Sequence, residues 1–401
     1  MKILMLTPYL PYPLLSGGQI RTYNLLKKLS HKHQITLFAL IKNDEEKQYV
    51  SELEKYCHKV RVFKRSEKPF TLKNIFKTVF SSFPFLVIRN QANGSLEAVK
   101  KEIVSENYDL IHAETFYMMP HIPECQIPII LVEQTIEYLG YESYAKKAPF
   151  FLRPLLNVDV KKIHLWETHY WRKAQRLIVM SEEDRQFIAK EAKDTLSKID
   201  VVANGVDTKW FAQKERQHAS EPTILSVGTF KWLPNIEAVD FLVKKVWPLI
   251  KKAVPSARLM IVGNAPTKTV LNYGLKDPQI TVAGKVADIR DAFTSAHVLV
   301  APVFSGKGTR YKILEAMASG TPVVASKIAV EGLDVRDGED VLTSNQAVDM
   351  ADLTVRLLSD TKLWHKLADN GRRFVSQNYD WDLISRKLDS IYQAIGASKN
   401  L

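Results

Sequence analysis

The segment Ser305–Val324, SGKGTRYKILEAMASGTPVV, reads as a strand end, a glycine-bearing loop, a helix, and a Gly-Thr-Pro turn into another strand. Gly306 and Gly308 let the backbone approach a ligand closely, and the free N–H groups at the helix start favour an anion. Arg310 and Lys312 add positive charge there, and Glu315 follows Lys312 by one turn on the same helical side. Leu314, Met317 and Ala318 fall on the core side. A carboxylate behind a phosphate-binding helix start suits a ribose diol. The same residues also fit a basic first turn on a solvated helix, with Glu315 paired to Lys312.

Outward from this segment, short apolar runs alternate with longer amphipathic stretches, as in parallel sheets covered by helices on both faces. The first half carries runs at Ile3–Leu6, Ile35–Leu40, Val60–Phe63, Leu110–His112, Ile129–Val132, Leu177–Met180 and Ile199–Val202. The polar stretch Gln213–Ser220 interrupts the pattern. It restarts at Ile224–Val227, Arg258–Val262, Ile280–Val282, Val298–Ala301, Pro322–Ala325 and Val341–Thr343. An α/β chain of two tandem Rossmann-like domains is expected, facing across a cleft, with ligands beyond the carboxyl ends of the strands. The expected divisions are 1–208, a linker 209–222, 223–378, and a last helix within 379–401 that returns to the first domain. Asp380-Trp381-Asp382 superficially matches an acid-x-acid metal motif but reads as a helix N-cap.

The 401 residues are 46% hydrophobic and 25% charged, with no low-complexity tract, which excludes collagen-like, linker-like and prion-like classes. Cys57 and Cys125 cannot build a disulfide framework and have no metal-site neighbours, so a reducing compartment, the cytoplasm, is expected. The opening MKILMLTPYLPYPLL, with prolines 8, 11 and 13, reads as a buried strand and turn rather than a secretion signal. No run of about 18 apolar residues is present. The net charge of +12 favours an anionic partner, and without a nucleic-acid-binding signature that partner is phosphate ligand or acidic lipid. Lys68–Arg89, KPFTLKNIFKTVFSSFPFLVIR, interleaves Phe70, Phe76, Phe80, Phe83 and Phe85 with lysines. It suits either an anionic lipid surface or a helix and loop packed along an acceptor groove.

The company these residues keep resembles the retaining nucleotide-sugar glycosyltransferases of family 4, which have GT-B architecture. Ala316–Ala325 is similar to the family's Ala-Met-Ala, Gly-x-Pro-Val-Val-Ala stretch, and Glu315 to its second conserved-position glutamate, which implies a donor-ribose contact. Lys307 stands where the family has its first glutamate. Asn204-Gly205-Val206-Asp207 with Phe211 matches the turn before the family's nucleotide domain and has a structural job.

The resemblance implies a set of site residues. Gly17-Gly18 would close over the donor phosphate, Gly228-Thr229 and Lys231 would hold the diphosphate, and Arg310 would supply the arginine missing beside Lys231. Gly263 and Val286 would flank the nucleobase, and Gly306, Lys307, Gly308 and Thr309 would line the donor loop with Lys312. Asn235 reads as a helix N-cap. His112, in the family's Asp-x-x-His element, would face the donor sugar; Glu114 and Glu133 fit either acceptor contacts or helix caps. The catalytic set is therefore His112, Lys231, Arg310 and Lys312.

The implied reaction moves a hexose from a nucleoside-diphosphate sugar to a glycan or lipid-linked acceptor in envelope polysaccharide or glycolipid assembly. Anomeric configuration is retained, and no metal or cofactor is required. The enzyme would be cytoplasmic, peripheral on the inner face of the membrane through 68–89, with no nucleic-acid partner. A degenerate sugar-nucleotide-binding protein, which the Lys307 and Thr229 departures allow, and an epimerase of the same architecture are the alternatives.

Overall fold

The computed structural model describes residues 1–217, 219–306 and 310–398. The chain forms two compact units, one of residues 1–203 and 385–401, the other of residues 204–384. Each contains one wholly parallel sheet. In the first unit β1 (Lys2–Thr7), β2 (Gln34–Ile41), β3 (Lys59–Lys64), β4 (Leu110–Glu114), β5 (Ile129–Glu133), β6 (Arg176–Val179) and β7 (Ile199–Val201) lie in the order β3-β2-β1-β4-β5-β6-β7. In the second, β8 (Thr223–Val227), β9 (Arg258–Val262), β10 (Ile280–Gly284), β11 (Val298–Ala301), β12 (Val323–Ala325) and β13 (Leu342–Thr343) lie in the order β10-β9-β8-β11-β12-β13. These are two Rossmann-like domains, and every apolar run of the sequence is a strand.

The strands are apolar nearly end to end because helices bury both sheet faces. β1 is buried from Ile3 to Thr7, and β11 throughout. Ile111, Leu131, Val179, Phe116 and Trp171 fill the first core, and Ile224, Ile261, Val300, Trp247 and Ile250 the second. In each sheet the order reverses once, between β1 and β4 and between β8 and β11, and the crevice at such a reversal is where a parallel sheet binds ligands.

The Gly-Thr-Pro turn has a specific job. The helix Tyr311–Ala318 ends with Gly320 at φ 68°, while Gly320 N–H donates to Met317 O at 2.9 Å and Thr321 N–H to Ala316 O at 2.8 Å. Such a left-handed C-terminal residue is glycine's role, and Pro322 then stops the helix from continuing. Arg216, in the polar stretch before β8, completes the turn by donating to Gly320 O (2.9 Å), Ala296 O (2.5 Å) and Thr321 Oγ1 (3.1 Å) while lying over the Trp364 ring.

The last helix, Trp381–Ser398, is divided between the units at Ile384/Ser385. Asp380 accepts from Asp382 N–H at 2.8 Å, a capping bond. From Ser385 onward the helix belongs to the first unit: Asp389 accepts from Lys32 Nζ (2.6 Å) and is hydrogen-bonded to His33 Nε2 (2.9 Å).

Arg216→Ala strips donors from several carbonyls at once. It should destabilise the second unit by about 2–4 kcal/mol, since each unsatisfied buried polar group costs ~1–3 kcal/mol. Calorimetric unfolding that matches wild type would show that the polar stretch contributes nothing to this unit.

Candidate functional site

In the second unit the reversal between β8 and β11 gathers most of the expected donor residues. Gly228 and Thr229 leave β8; Gly228 N–H donates to Val262 O at 3.0 Å and Phe230 N–H to Asn264 O at 2.9 Å, which stitches this turn to the one after β9. Gly263 sits so close beneath that a Cβ on it would stand 1.7 Å from Gly228 O. Its own N–H donates to Gly284 O at 2.8 Å, so the ends of β8, β9 and β10 form one connected rim. Val286 lies half-buried just beyond.

Asn235 is not the helix cap that the sequence suggested. The helix Leu233–Phe241 is capped at Trp232 and carries Pro234 in its first turn, where a missing N–H costs nothing, so Asn235 falls inside. Its side chain is a bridge: Nδ2 donates to Thr229 O at 2.9 Å, and Oδ1 accepts from Lys312 Nζ at 2.8 Å. The loop after β8 is thereby tied to the helix after β11. Gly306 fits beside Pro234, and Ser305 Oγ donates to Glu237 at 2.9 Å.

Lys312 and Glu315 form no ion pair; the ammonium donates to Asn235. Each nevertheless senses the other. Burial lowers the Lys312 pKa to about 8, opposed by Glu315 and assisted by Arg310; burial raises Glu315 to about 7, opposed by Lys312. Arg310 directs Nε to Glu331 O at 3.0 Å and a terminal nitrogen toward the Glu331 carboxylate at 3.5 Å. Part of its donor capacity is thus spent on a neighbouring turn. Lys231 is exposed in the turn after β8. Lys307, Gly308 and Thr309 lie outside the described residues. Among the described residues no three His, Cys, Asp or Glu side chains converge as a metal-ligand set.

In the first unit the reversal between β1 and β4 holds a second constellation. Gly17 and Gly18 are the first residues of the helix Gly17–Leu29, capped by Ser16. A Cβ on Gly18 would meet Tyr9 Oη at 2.5 Å and Gln134 Oε1 at 2.6 Å, so any larger residue would have to displace both side chains. Gln134 Nε2 donates to Tyr9 Oη (2.7 Å) and to Glu114 Oε2 (2.6 Å), and Glu114 Oε1 is hydrogen-bonded to His112 Nε2 (3.1 Å). His112 Nδ1 is in turn bonded to the Tyr392 hydroxyl at 2.6 Å. Burial opposes ionisation of Glu114, but His112, Arg21 and Gln134 outweigh it and hold the carboxyl below its ordinary range.

The His112 imidazole is wholly inaccessible, with its two ring nitrogens bonded to Tyr392 and Glu114. Glu133 is buried and accepts from the N–H of Phe116, the first residue of the short helix Phe116–His121, so it caps that helix, and it also accepts from Trp171 Nε1 at 3.2 Å. Sequence reading missed Tyr9 and Gln134, although each lies just past a strand end. It had no means of finding Tyr392.

Within 68–89 the apolar residues of one helix face outward. In the helix Leu72–Phe80 the one buried residue is Asn74, whose Nδ2 donates to Ser66 Oγ and Pro69 O, while Leu72 (86% exposed), Phe76 (64%) and Phe80 (73%) face outward. Lys162 Nζ donates to Thr78 O and Ser81 O at 2.6 Å, fastening this helix to Arg153–Lys173. At the start of that second helix Phe150 and Phe151 are also exposed.

The family model for Glycosyltransferase Family 4 matches residues 15–210, and that for Glycosyl transferases group 1 matches 221–360. The chain is a family 4 glycosyltransferase. It is 21% identical over 392 residues to an uncharacterized 44.6 kDa protein in the cps region of Klebsiella pneumoniae, covering 94% of this chain and 96% of that one. It is 23% identical over 321 residues to the UDP-Gal:alpha-D-GlcNAc-diphosphoundecaprenol alpha-1,3-galactosyltransferase of Escherichia coli, covering 74% and 77%. Sucrose-phosphate synthase from Thermosynechococcus elongatus shares the fold at a TM-score of 0.71 and 18% identity, over 99% of this chain and 100% of that one.

For this glycosyltransferase the half-buried pair Lys312 and Glu315 sets a pH signature. Glu315, raised from 4.5 to about 7, binds more proton when folded, so its contribution to stability falls as pH rises through that window. Lys312, lowered from 10.5 to about 8, binds less, so stability recovers above 8. Their joint contribution is poorest between pH 7 and 8. Thermal melts from pH 5 to 10 should show Glu315→Gln gaining on wild type as pH rises past 5; parallel profiles would contradict the assignment.

Proposed function

We propose that this glycosyltransferase moves a hexose from a nucleoside-diphosphate sugar to a glycan or lipid-linked acceptor, with retention of configuration and without a metal, in cell-envelope polysaccharide or glycolipid assembly. The observation that carries this reading is the bridge Thr229–Asn235–Lys312. It sets an ammonium at the start of the helix Tyr311–Ala318, one turn before the carboxyl of Glu315. Diphosphate oxygens fit the ammonium, the loop N–H groups and the helix N-terminus; ribose hydroxyls fit Glu315. The E. coli relative, whose name gives a UDP-sugar donor and a lipid-diphosphate acceptor, supports the substrate classes.

The chemistry follows from charge. As the anomeric C–O bond to the diphosphate breaks, negative charge grows on the leaving oxygen and positive charge on the anomeric carbon. Lys312, aided by Arg310 two residues before it and by Lys231 in the turn after β8, stabilises the former. In same-face transfer the departing phosphate takes the acceptor hydroxyl proton as the new C–O bond forms. His112, Glu114 and Gln134 act as positioning residues beneath Gly18.

Localisation follows from two further features. Cys57 and Cys125 are free thiols, in keeping with a cytoplasmic protein. The exposed apolar face of Leu72–Phe80, in a 22-residue segment with lysines and no acidic residue except Glu67 just before it, suits the anionic inner leaflet. No described helix is long and apolar enough to cross a membrane.

Thermal melting with a panel of nucleoside diphosphates, chelator present, tests the donor reading. One nucleotide at about 100 times its Kd should stabilise by ~2.7 kcal/mol, and Glu315→Ala should abolish the shift. No shift with any nucleotide would defeat it, and binding without turnover on any acceptor would make the chain a binding protein. Flotation with phosphatidylglycerol vesicles tests the membrane reading: wild type should float at low salt and the Phe76→Asp, Phe80→Asp variant should not. Failure of wild type to float would remove the membrane from the account.

A further inference from the structure

Arg65 and Arg89 form a cationic pair outside the constellations described above. Arg65 follows β3 and is joined to Ala92 by an isolated antiparallel bridge. Arg89 lies on the six-residue helix Phe85–Asn90, whose other five residues are buried. That helix is a fixed platform: Phe85 N–H donates to Asp159 at 2.9 Å, and Asn90 O is bonded to His121 Nε2 at 3.0 Å.

The pair is costly to the fold. Burial lowers the Arg65 pKa, and the charge of Arg89 lowers it further. Neither guanidinium makes an ion pair with a carboxylate among the described residues, and the Nε atom of each is shielded without a hydrogen-bond partner. The surrounding titratable groups do not neutralise them. Tyr117 and Glu46 act on Arg65 only through space; Tyr141 hydrogen-bonds Arg89; and Glu137, though favoured by Arg89, is pushed by burial to about 7. Desolvated like charges with unused donors destabilise a protein unless an anion completes them.

Their position indicates which anion. Arg65 comes directly after β3 and its N–H donates to Ile41 O, the last residue of β2, at 2.9 Å, so it stands at the carboxyl end of the first sheet. Phe85, on the same short helix as Arg89, stacks on Phe70 with ring centroids 5.1 Å apart, and Phe70 lies just before the outward-facing apolar helix. The pair thus joins the strand ends to the segment that carries the lipid-suited face. Two guanidinium forks match the oxygens of a phosphate ester better than any single-point anion.

We propose that Arg65 and Arg89 bind a phosphate or diphosphate ester presented from the membrane, as the anionic part of the acceptor. This rests on the reading of the acceptor as lipid-linked, but its test is separate. Inorganic pyrophosphate is titrated calorimetrically into the full chain, first saturated with whichever nucleoside diphosphate stabilises it so that the second unit's site is filled. If none does, the donor reading fails and the titration is run without it.

The Arg65→Gln, Arg89→Gln variant should bind pyrophosphate at least tenfold more weakly than wild type, bind the nucleotide equally, and melt no lower. A pair with only a structural role would melt lower when neutralised. The Arg65→Lys, Arg89→Lys variant should keep part of the affinity. Vesicles of phosphatidylcholine with and without phosphatidylglycerol separate the two sources of phosphate: loss of phosphatidylglycerol binding with pyrophosphate binding intact assigns the anion to a bilayer headgroup and overturns the acceptor role. Unchanged binding of both probes in the glutamine variant overturns the site.

Discussion

Where the strand order of a parallel sheet reverses, the loops after two neighbouring strands depart to opposite faces, and the backbone between them is left uncovered. In this molecule that gap organises the core of each constellation. In the second unit it is lined by the turns after β8 and β11 and bridged by Asn235. In the first it is lined by Gly18 and the end of β4, bridged by Gln134. In both, a side-chain amide links the two loops without adding charge: Asn235 by donating to a carbonyl and accepting from an ammonium, Gln134 by donating with both hydrogens of one nitrogen to a hydroxyl and a carboxylate.

The price of these arrangements is buried charge. Lys312 and Glu315 sit close without neutralising one another, Glu114 stays ionised in the core, and Arg65 and Arg89 repel. A fold selected only for stability would replace such groups with apolar ones, often with no loss.

Much of this was legible beforehand. Strands buried on both faces are continuous apolar runs, so all thirteen could be read from Ile, Leu and Val alone, and the glycines and the Gly-Thr-Pro turn marked the strand ends. What escaped was of two kinds. Asn235 was misread because an Asn before apolar residues looks like a cap, whereas the helix had already begun two residues earlier, at Leu233. The His112–Tyr392 contact spans 280 positions, and no local pattern encodes it. The basic, aromatic composition of 68–89 suits both a lipid surface and a packed helix, and composition cannot tell which side turns inward; in the helix Leu72–Phe80 the buried side carries the polar Asn74.

The divided last helix bears on the order in which the protein matures. The first unit is synthesised first, yet His33 and His112 find their partners only when Asp389 and Tyr392 arrive, after the whole second unit has emerged from the ribosome. Until then the imidazole that orients Glu114 has no hydroxyl against it. The amino-terminal domain is therefore finished only after the second unit has been made, its strand-end network waiting on a residue 280 positions beyond His112.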